Sequence, residues 1–328
     1  MRSGNWTALV LAVLVSTASL AVPRTEAAGF PERAITIVVP FPAGSTSDTI
    51  PRLVGPLMSK SLGVPVIIEN RGGANGSIGA ARVASSAADG YTLLLATTGV
   101  LAINQWIYEK PAYHPESDFA PITNAASTPN IIVVHPSVKA GTLKELVSLA
   151  KAEPGTLTFA SAGDGSTSHL CGETLKALEG VDIVHVPYQG PARAIQDVLA
   201  GRVSMICDNL SNVVRQVQGG TLKPIVVTAG APSQQLPDVP TSAQAGEPDL
   251  LAGIWYGFVA PAATPRDVVG ILNKAIVEAL RDPSVSEHLE ALGLTVIADQ
   301  RDHFAAFIAS ESARMESIVK RAKARIAN

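Results

Sequence analysis

Two rhythms of apolar and polar positions run along the chain from Ala34 onward. Ile35 to Val39 is a β-branched run of the kind that forms a strand buried on both faces. The small, polar stretch Phe41-Pro-Ala-Gly-Ser-Thr-Ser-Asp48 follows, and apolar residues then recur at helical spacing from Thr49 to Leu62. The cycle repeats with a strand from Val64 to Glu69, a turn-rich loop from Asn70 to Gly76, a small-residue helix from Ser77 to Ala87 and a strand from Tyr91 to Ala96. Near Ser127 to Asn130 a second set begins. It holds strands over Ile131 to Val134, Thr156 to Ser161, Asp182 to Val186, Val203 to Cys207 and Pro224 to Thr228. Helices fall between them, the first opened by the capping box Thr142-Leu-Lys-Glu145. A Pro-rich connection from Ala231 to Asp249 leads to a strand-like Gly253 to Val259 and a C-terminus that is helical in three pieces.

Strands alternating with helices predict βαβ units and parallel sheets. The strands are too many for one comfortable sheet, and the middle section has a complete set of its own. The expected architecture is therefore α/β with two lobes, residues 28–128 and 230–328 forming one and residues 129–229 the other, inserted into the first. The two chain crossings between them would act as a hinge.

The first 27 residues read differently. Arg2, the apolar run Ala8 to Val22, Pro23 and the small residues around Ala27 form a secretory signal; the run is too short for a membrane span. Export to the periplasm follows as the expected localisation. Removal of this segment changes the net charge from −3 to −4, because Arg2 and Arg24 leave with Glu26. A mildly acidic chain without basic runs argues against nucleic acid as a partner. The two cysteines, Cys171 and Cys207, are even in number and so permit a disulfide in an oxidising compartment, but nothing in their spacing demands one. They read as two buried free thiols. No CxxC or Cys/His cluster points to a metal or cofactor.

Candidate chemistry lies where strands run into helices, since ligands of open α/β sheets bind outside the carboxyl ends of strands. Three such loops are rich in Gly, Ser and Thr: Ala43-Gly44-Ser45-Thr46-Ser47-Asp48, Thr97-Thr98-Gly99, and Ser161-Ala162-Gly163-Asp164-Gly165-Ser166-Thr167-Ser168-His169. Each offers unpaired N–H groups and hydroxyls at the positive end of a helix, which is an anion site. None contains Lys or Arg, so an anion there is held by dipoles and hydrogen bonds. Ser, Thr, Asp and Gly are also ordinary capping residues, and it is the pairing of two loops in different lobes that favours binding. Asp48 could serve as a general base, although a helix cap or a partner of the loop hydroxyls is the plainer reading, and Asp208 is read as a pocket wall, a donor-selecting acceptor or a solvated strand end. The familiar enzyme motifs are absent. Ser166 and His169 share a helix face and would make a Ser/His hydrolase pair, although His169 as a loop brace is the plainer reading.

The ordered segments Pro40-Phe-Pro-Ala-Gly-Ser-Thr-Ser-Asp48, Glu69-Asn-Arg-Gly-Gly-Ala-Asn-Gly-Ser-Ile-Gly79, Asp89-Gly-Tyr-Thr-Leu93, Ser161-x-Gly-x-Gly-Ser-x-x-His169, His185-Val-Pro-Tyr-x-Gly190 and Pro237-Asp-Val-Pro-Thr241 resemble the tripartite tricarboxylate transporter substrate-binding family, the Bug receptors. The resemblance implies a two-lobe, type II periplasmic binding protein that works as a monomer without cofactor or metal. It implies capture of a small carboxylate, such as a di- or tricarboxylate or an aromatic acid, and delivery to one large and one small membrane subunit. A sensor that shows its closed form to a signalling partner is the alternative. By motif position, Ala43, Gly44, Ser45, Thr46, Ser161, Gly165, Ser166 and Thr167 would hold the carboxylate, with Asp48 and His169 in support; Thr98, Tyr188 and Asp208 complete the expected ligand site. Arg193 stands where relatives commonly have Pro, at a helix first turn where a cation opposes the dipole. It is expected either to reach the cleft and meet a second anionic group or to sit solvated on the rim.

Overall fold

The computed structural model describes residues 29–326; the export signal expected over residues 1–27 lies outside the described residues. The first lobe is built from β1 (Ile35–Val39), α1 (Thr46–Leu62), β2 (Val66–Asn70), α2 (Ser77–Ala84), β3 (Thr92–Thr97), the short helices α3 (Asn104–Ile107) and α4 (Pro115–Asp118), and the first part of β4 (Phe119–Val134). The second lobe comprises the rest of β4, α5 (Leu143–Ala152), β5 (Thr158–Ser161), α6 (Thr167–Glu179), β6 (Val184–Pro187), α7 (Pro191–Leu199), β7 (Met205–Asn209), α8 (Leu210–Gln218) and β8 (Lys223–Val227). The chain returns through β9 (Gly253–Pro261), α9 (Arg266–Arg281), α10 (Pro283–Ala291), the two-residue β10 (Thr295–Val296) and α11 (Arg301–Ile326).

The strand order of the first sheet is β2-β1-β3-β9-β4, with β1 parallel to β2 and β3 and with β9 antiparallel to β3 and β4. In the second, β5 lies parallel between β6 and β7, and β4 runs antiparallel to β7 and β8. The 16-residue β4 belongs to both sheets: Phe119 to Pro129 pair with β9, while Asn130 to Val134 pair with β7 and β8. Periodicity reveals only its Ile131–Val134 end, because the preceding Thr-Asn-Ala-Ala-Ser-Thr-Pro stretch has neither alternation nor β-branched density. Burial shows why it is a strand nonetheless: Thr123, Asn124, Thr128 and Asn130 are all at or below 2 % exposure. Their backbone groups are satisfied by neighbours on both sides.

The second crossing is tied to the first. Thr228 N–H donates to Asn130 O (2.9 Å), Asn130 N–H donates to Ala252 O (2.9 Å), and Ala252 N–H donates to Thr228 O (3.1 Å). Within residues 231–250, expected with the first lobe, Leu236 and Val239 join the core of Ile131, Val198 and Ile206, and Leu250 joins that of Phe159 and Met205, while Gln235 Nε2 donates to Glu290 O of α10 at 2.6 Å. The chain therefore returns to the first lobe at Ala252–Gly253.

The cysteines correct the sequence reading. Both are buried, as expected, but Cys171 on α6 and Cys207 on β7 form a disulfide with their Cα atoms 6.1 Å apart. Spacing along the chain says nothing of this, because it is the packing of α6 across β7 that brings them together. The bridge closes a 36-residue separation and pins the helix whose N-terminus carries the Gly/Ser loop. Loop-closure entropy for a separation of this size stabilises by roughly 3–4 kcal/mol. We expect the double Cys171→Ala, Cys207→Ala variant to lose about that much in urea unfolding under oxidising conditions. If a reducing agent lowers the wild-type midpoint by as much as it lowers that of the variant, the bridge contributes nothing.

Candidate functional site

The loop after β1 is closed by a local wrap. Gly44 takes φ 81°, which glycine adopts freely, and its N–H donates to Asp48 Oδ2 at 2.8 Å. The same carboxylate accepts from Arg52 Nε (2.8 Å) and Asn70 Nδ2 (2.9 Å). Burial alone would raise the Asp48 pKa; the hydrogen bonds from Arg52, Gly44 and Asn70 outweigh it and hold the group below the ordinary range. Asp48 is thus spent on holding the loop. Helix α1 starts at Thr46, three residues before the apolar spacing begins, because Ser45 already has an N-cap's extended conformation and its carbonyl accepts from Asp48 and Thr49. The first-turn N–H groups of Thr46 and Ser47 have no protein acceptor among the described residues.

The loop after β5 is built in the same way. Ser166 is the N-cap of α6, and its Oγ accepts from His169 N–H (3.2 Å) and donates to Gly163 O (2.6 Å). Gly165 N–H donates to His169 Nδ1 (3.2 Å), and Ser161 Oγ meets His185 Nε2 at 2.6 Å. The N–H groups of Thr167 and Ser168 again lack a protein acceptor among the described residues. A Ser/His nucleophile pair does not form: Ser166 Oγ contacts the backbone N–H of His169, and the ring nitrogen Nδ1 is taken by Gly165. His169 braces the loop.

His169 stacks on His185 with ring centroids 4.2 Å apart and planes 14° from parallel, and His185 stacks in turn on Phe159. Burial pushes the His169 pKa down, and burial with the neighbouring His169 pushes His185 down to about 4. Both rings are therefore neutral near pH 7. Asp164, His169 and His185 bring ligand atoms within 4.8 Å of one another. Nearly parallel stacked rings direct their in-plane lone pairs side by side, however, so one ion cannot lie in both planes as imidazole coordination requires.

The two lobes touch at these loops. Thr46 Oγ1 lies 3.3 Å from Ser211 Oγ and donates to Asn212 Oδ1 at 3.2 Å, which brings the start of α1 against the start of α8. Thr167 Oγ1 in turn donates to Asn209 Oδ1 at 3.4 Å, tying α6 to the N-cap of α8. Three helix N-termini therefore converge, one from the first lobe and two from the second. Asp208 is buried beside them, its carboxylate accepting from Asn209 N–H (2.8 Å) and Asn212 Nδ2 (3.3 Å). Burial raises its pKa to about 7, against those two hydrogen bonds. Burial, followed by the charge of Asp208, likewise holds the Tyr256 hydroxyl above its ordinary range, while the hydroxyls of Thr46 and Ser211 act in the opposite sense.

Other expected site residues lie apart from this convergence. Thr98 is fully buried and its Oγ1 accepts from Trp255 N–H at 2.9 Å. Tyr188 donates its hydroxyl to Asp197 at 2.7 Å. Arg193 is exposed, and no ion pair engages it among the described residues. Ala43 is exposed at the loop tip. Ser211, Asn212 and Tyr256 were not foreseen, because an Asn-Leu-Ser-Asn start to a helix reads as ordinary capping until the facing lobe is in place. A cavity of about 580 Å³ surrounds the crossing strands, lined by Thr128, Thr228, Gly253, Trp255 and Arg314. The guanidinium there is already held by Glu311 at 2.7 and 2.9 Å, and the free donors lie at the helix starts instead.

A family model described as the tripartite tricarboxylate transporter family receptor matches residues 50–323. The chain belongs to this family. It is 34% identical over 318 residues to Protein BugT of Bordetella pertussis, a match that spans 97% of both chains. MatC of Rhodopseudomonas palustris, solved with bound malate, is 35% identical with a TM-score of 0.83 and covers 88% of this chain and 100% of its own. An R. palustris protein solved with adipate is 34% identical with a TM-score of 0.85, covering 90% and 98%. The expected two-lobe binding-protein fold and the expected family both hold, and the family's members are receptors rather than enzymes. No helix among the described residues is long and apolar enough to cross a membrane.

The buried Asp208 gives a pH signature. Its folded pKa of about 7 exceeds the unfolded value near 3.8, so the folded state binds the extra proton between those values. Its stabilising contribution is complete below about pH 4 and is lost as pH rises through 7, by about 1.4 kcal/mol per unit in that window. His185, with a folded value of about 4 against 6.5, acts in the opposite sense and destabilises as pH falls below 6.5. Comparison of Asp208→Asn with wild type isolates the carboxyl group. The stability difference should shift in favour of the variant between pH 5 and pH 7.5 in denaturant titrations; a difference that does not change with pH would refute the assignment.

Proposed function

We propose that this protein is a periplasmic receptor that closes on a small organic carboxylate and hands it to the large and small membrane subunits of a tripartite tricarboxylate transporter. The observation that carries this reading is the convergence of three helix N-termini across the cleft. Four first-turn N–H groups there, at Thr46, Ser47, Thr167 and Ser168, are without protein acceptors among the described residues. Such groups hold an anion by hydrogen bonds and by the helix macrodipole, with no side-chain cation needed. Malate in MatC and adipate in its R. palustris neighbour support a dicarboxylate of four to six carbons, and the family name supports the membrane partner.

Side chains around the donors are arranged to leave them free. Asp48 and His169 each take a loop N–H that would otherwise compete, and Ser166 takes the His169 N–H in the first turn of α6, so rigid loops present only the outward groups. Asp208, with a pKa of about 7, carries a proton for much of the time at neutral pH and opposes an incoming carboxylate less than an ionised group would. Closure of the lobes removes water from these hydrogen bonds and strengthens each of them. The ligand acts by its greater affinity for the closed state. Arg193, exposed at the start of α7, is the cation we assign to the rim of the cleft, where it would meet the far carboxylate of a dicarboxylate.

A thermal-shift panel of mono-, di- and tricarboxylates and aromatic acids tests the reading. A ligand at 100 times its Kd stabilises by ~2.7 kcal/mol, which moves the melting temperature by several degrees. We expect dicarboxylates to give the largest shifts and Arg193→Ala to reduce the shift for a dicarboxylate more than for a monocarboxylate. A shift with a neutral sugar or amide and none with any acid would contradict the proposal.

A further inference from the structure

Asn75 takes no part in the carboxylate site described above, yet it is held with unusual care. It sits at φ 48° in the left-handed region, where Asn is tolerated better than most residues. Its Nδ2 donates to Asn104 Oδ1 at 2.9 Å and, across the cleft, to Gly165 O at 3.1 Å. Asn104 is buried and donates its own Nδ2 to Asn75 O (3.0 Å), Ser77 Oγ (3.0 Å) and the Tyr113 hydroxyl (3.2 Å). Tyr113 is anchored in turn on Val100 O at 2.6 Å. This network fixes the amide orientation. Exchange of oxygen and nitrogen on Asn75 would set its carbonyl against Gly165 O, whichever way Asn104 is turned.

A glycine makes room for the amide. A Cβ on Gly99 would lie 2.9 Å from Asn75 Nδ2, and one on Gly165 would lie 3.6 Å from Nδ2 and 2.8 Å from Ile107 Cδ1. Gly99 therefore leaves the space that the amide fills, whereas a Cβ on Gly165 would only touch the amide and would crowd Ile107 instead. The Gly165 residue is gripped twice: its N–H goes to His169 within its own lobe, and its carbonyl takes the amide from the other. Its loop is the one whose next N–H groups, on Thr167 and Ser168, are free.

We propose that Asn75 is the closure latch of this receptor. It is a positioning residue that touches no ligand and binds the carbonyl of the anion loop only when the first lobe has arrived, so that it sets how long the bound carboxylate is retained. The benefit of the carboxylate rests on the function proposed above; the latch between the lobes does not. An interaction made only in the closed state slows opening, so its loss appears in the dissociation rate rather than in association.

Asn75→Gly is the decisive variant, since glycine accepts the left-handed backbone without strain and Asn104 keeps the Asn75 carbonyl, Ser77 and Tyr113 as partners. With malate and adipate as probes in stopped-flow measurements, we expect the dissociation rate to rise ~2- to 10-fold, the effect of one hydrogen bond, with the association rate unchanged. Asn75→Asp, which turns an acceptor toward Gly165 O, should raise it further. The melting temperature of the ligand-free variant should fall by less than the rise in dissociation rate implies, because only the closed fraction of the ligand-free protein carries the latch, and small-angle scattering should show the variant more expanded than wild type. Unchanged dissociation rates, or a rate increase matched by an equal loss of ligand-free stability, would overturn the latch. If neither probe binds wild type, the carboxylate reading fails. Scattering then decides the latch alone: an Asn75→Gly protein more expanded than wild type supports it, and equal dimensions refute it.

Discussion

Backbone N–H groups that no protein atom satisfies are costly to bury, and in this molecule four of them lie at the starts of α1 and α6 beside a closed interface between lobes. The rest of the structure follows from that constraint. The loops must be rigid, or their N–H groups would turn back to nearby carbonyls. Asp48, Ser166 and His169 supply that rigidity by taking the competing donors. The lobes must approach, or water would satisfy the donors at no gain. Thr46, Asn75, Gly165 and Asn212 provide the contacts that mark this approach.

The hinge explains how approach and separation can share one fold. β4 passes from sheet to sheet without a break, and the Thr228–Asn130–Ala252 cycle of hydrogen bonds ties the second crossing to it. In the closure proposed above, two crossings confine the lobes to rotation about a line. The Cys171–Cys207 bridge then keeps α6 from shifting on its own sheet while that rotation occurs, so that motion between lobes is delivered to the anion loop as a rigid displacement.

Much of this was legible in the sequence because it is local. The β-branched run at Ile35–Val39, the capping box at Thr142–Glu145 and the Gly/Ser density of the loops each express a short-range preference that the fold respects. The N-cap half of the capping box forms, with Glu145 N–H on Thr142 Oγ1 at 3.2 Å, while the Glu145 carboxylate accepts from Gly141 N–H at 2.7 Å, one residue before the N-cap. What escaped was what depends on packing at a distance. The disulfide needs α6 to lie over β7, the polar half of β4 is a strand only because neighbours flank it, and Leu236, Val239 and Leu250 join cores of the second lobe. Asn75, Ser211 and Asn212 look like turn or cap residues until the opposite lobe faces them, and no single-sequence signal distinguishes a cap that also bonds across a cleft.

The central claim is that backbone donors at two helix starts, rather than a side-chain cation, hold the ligand's carboxylate. Amide chemical shifts report this directly. In a 15N-labelled sample titrated with malate or adipate, the account predicts the largest downfield amide-proton shifts at Thr46, Ser47, Thr167 and Ser168, with smaller changes elsewhere in the cleft. Saturable binding with those four amides unmoved, and the largest changes instead around Arg314 and Trp255 by the crossing strands, would contradict it.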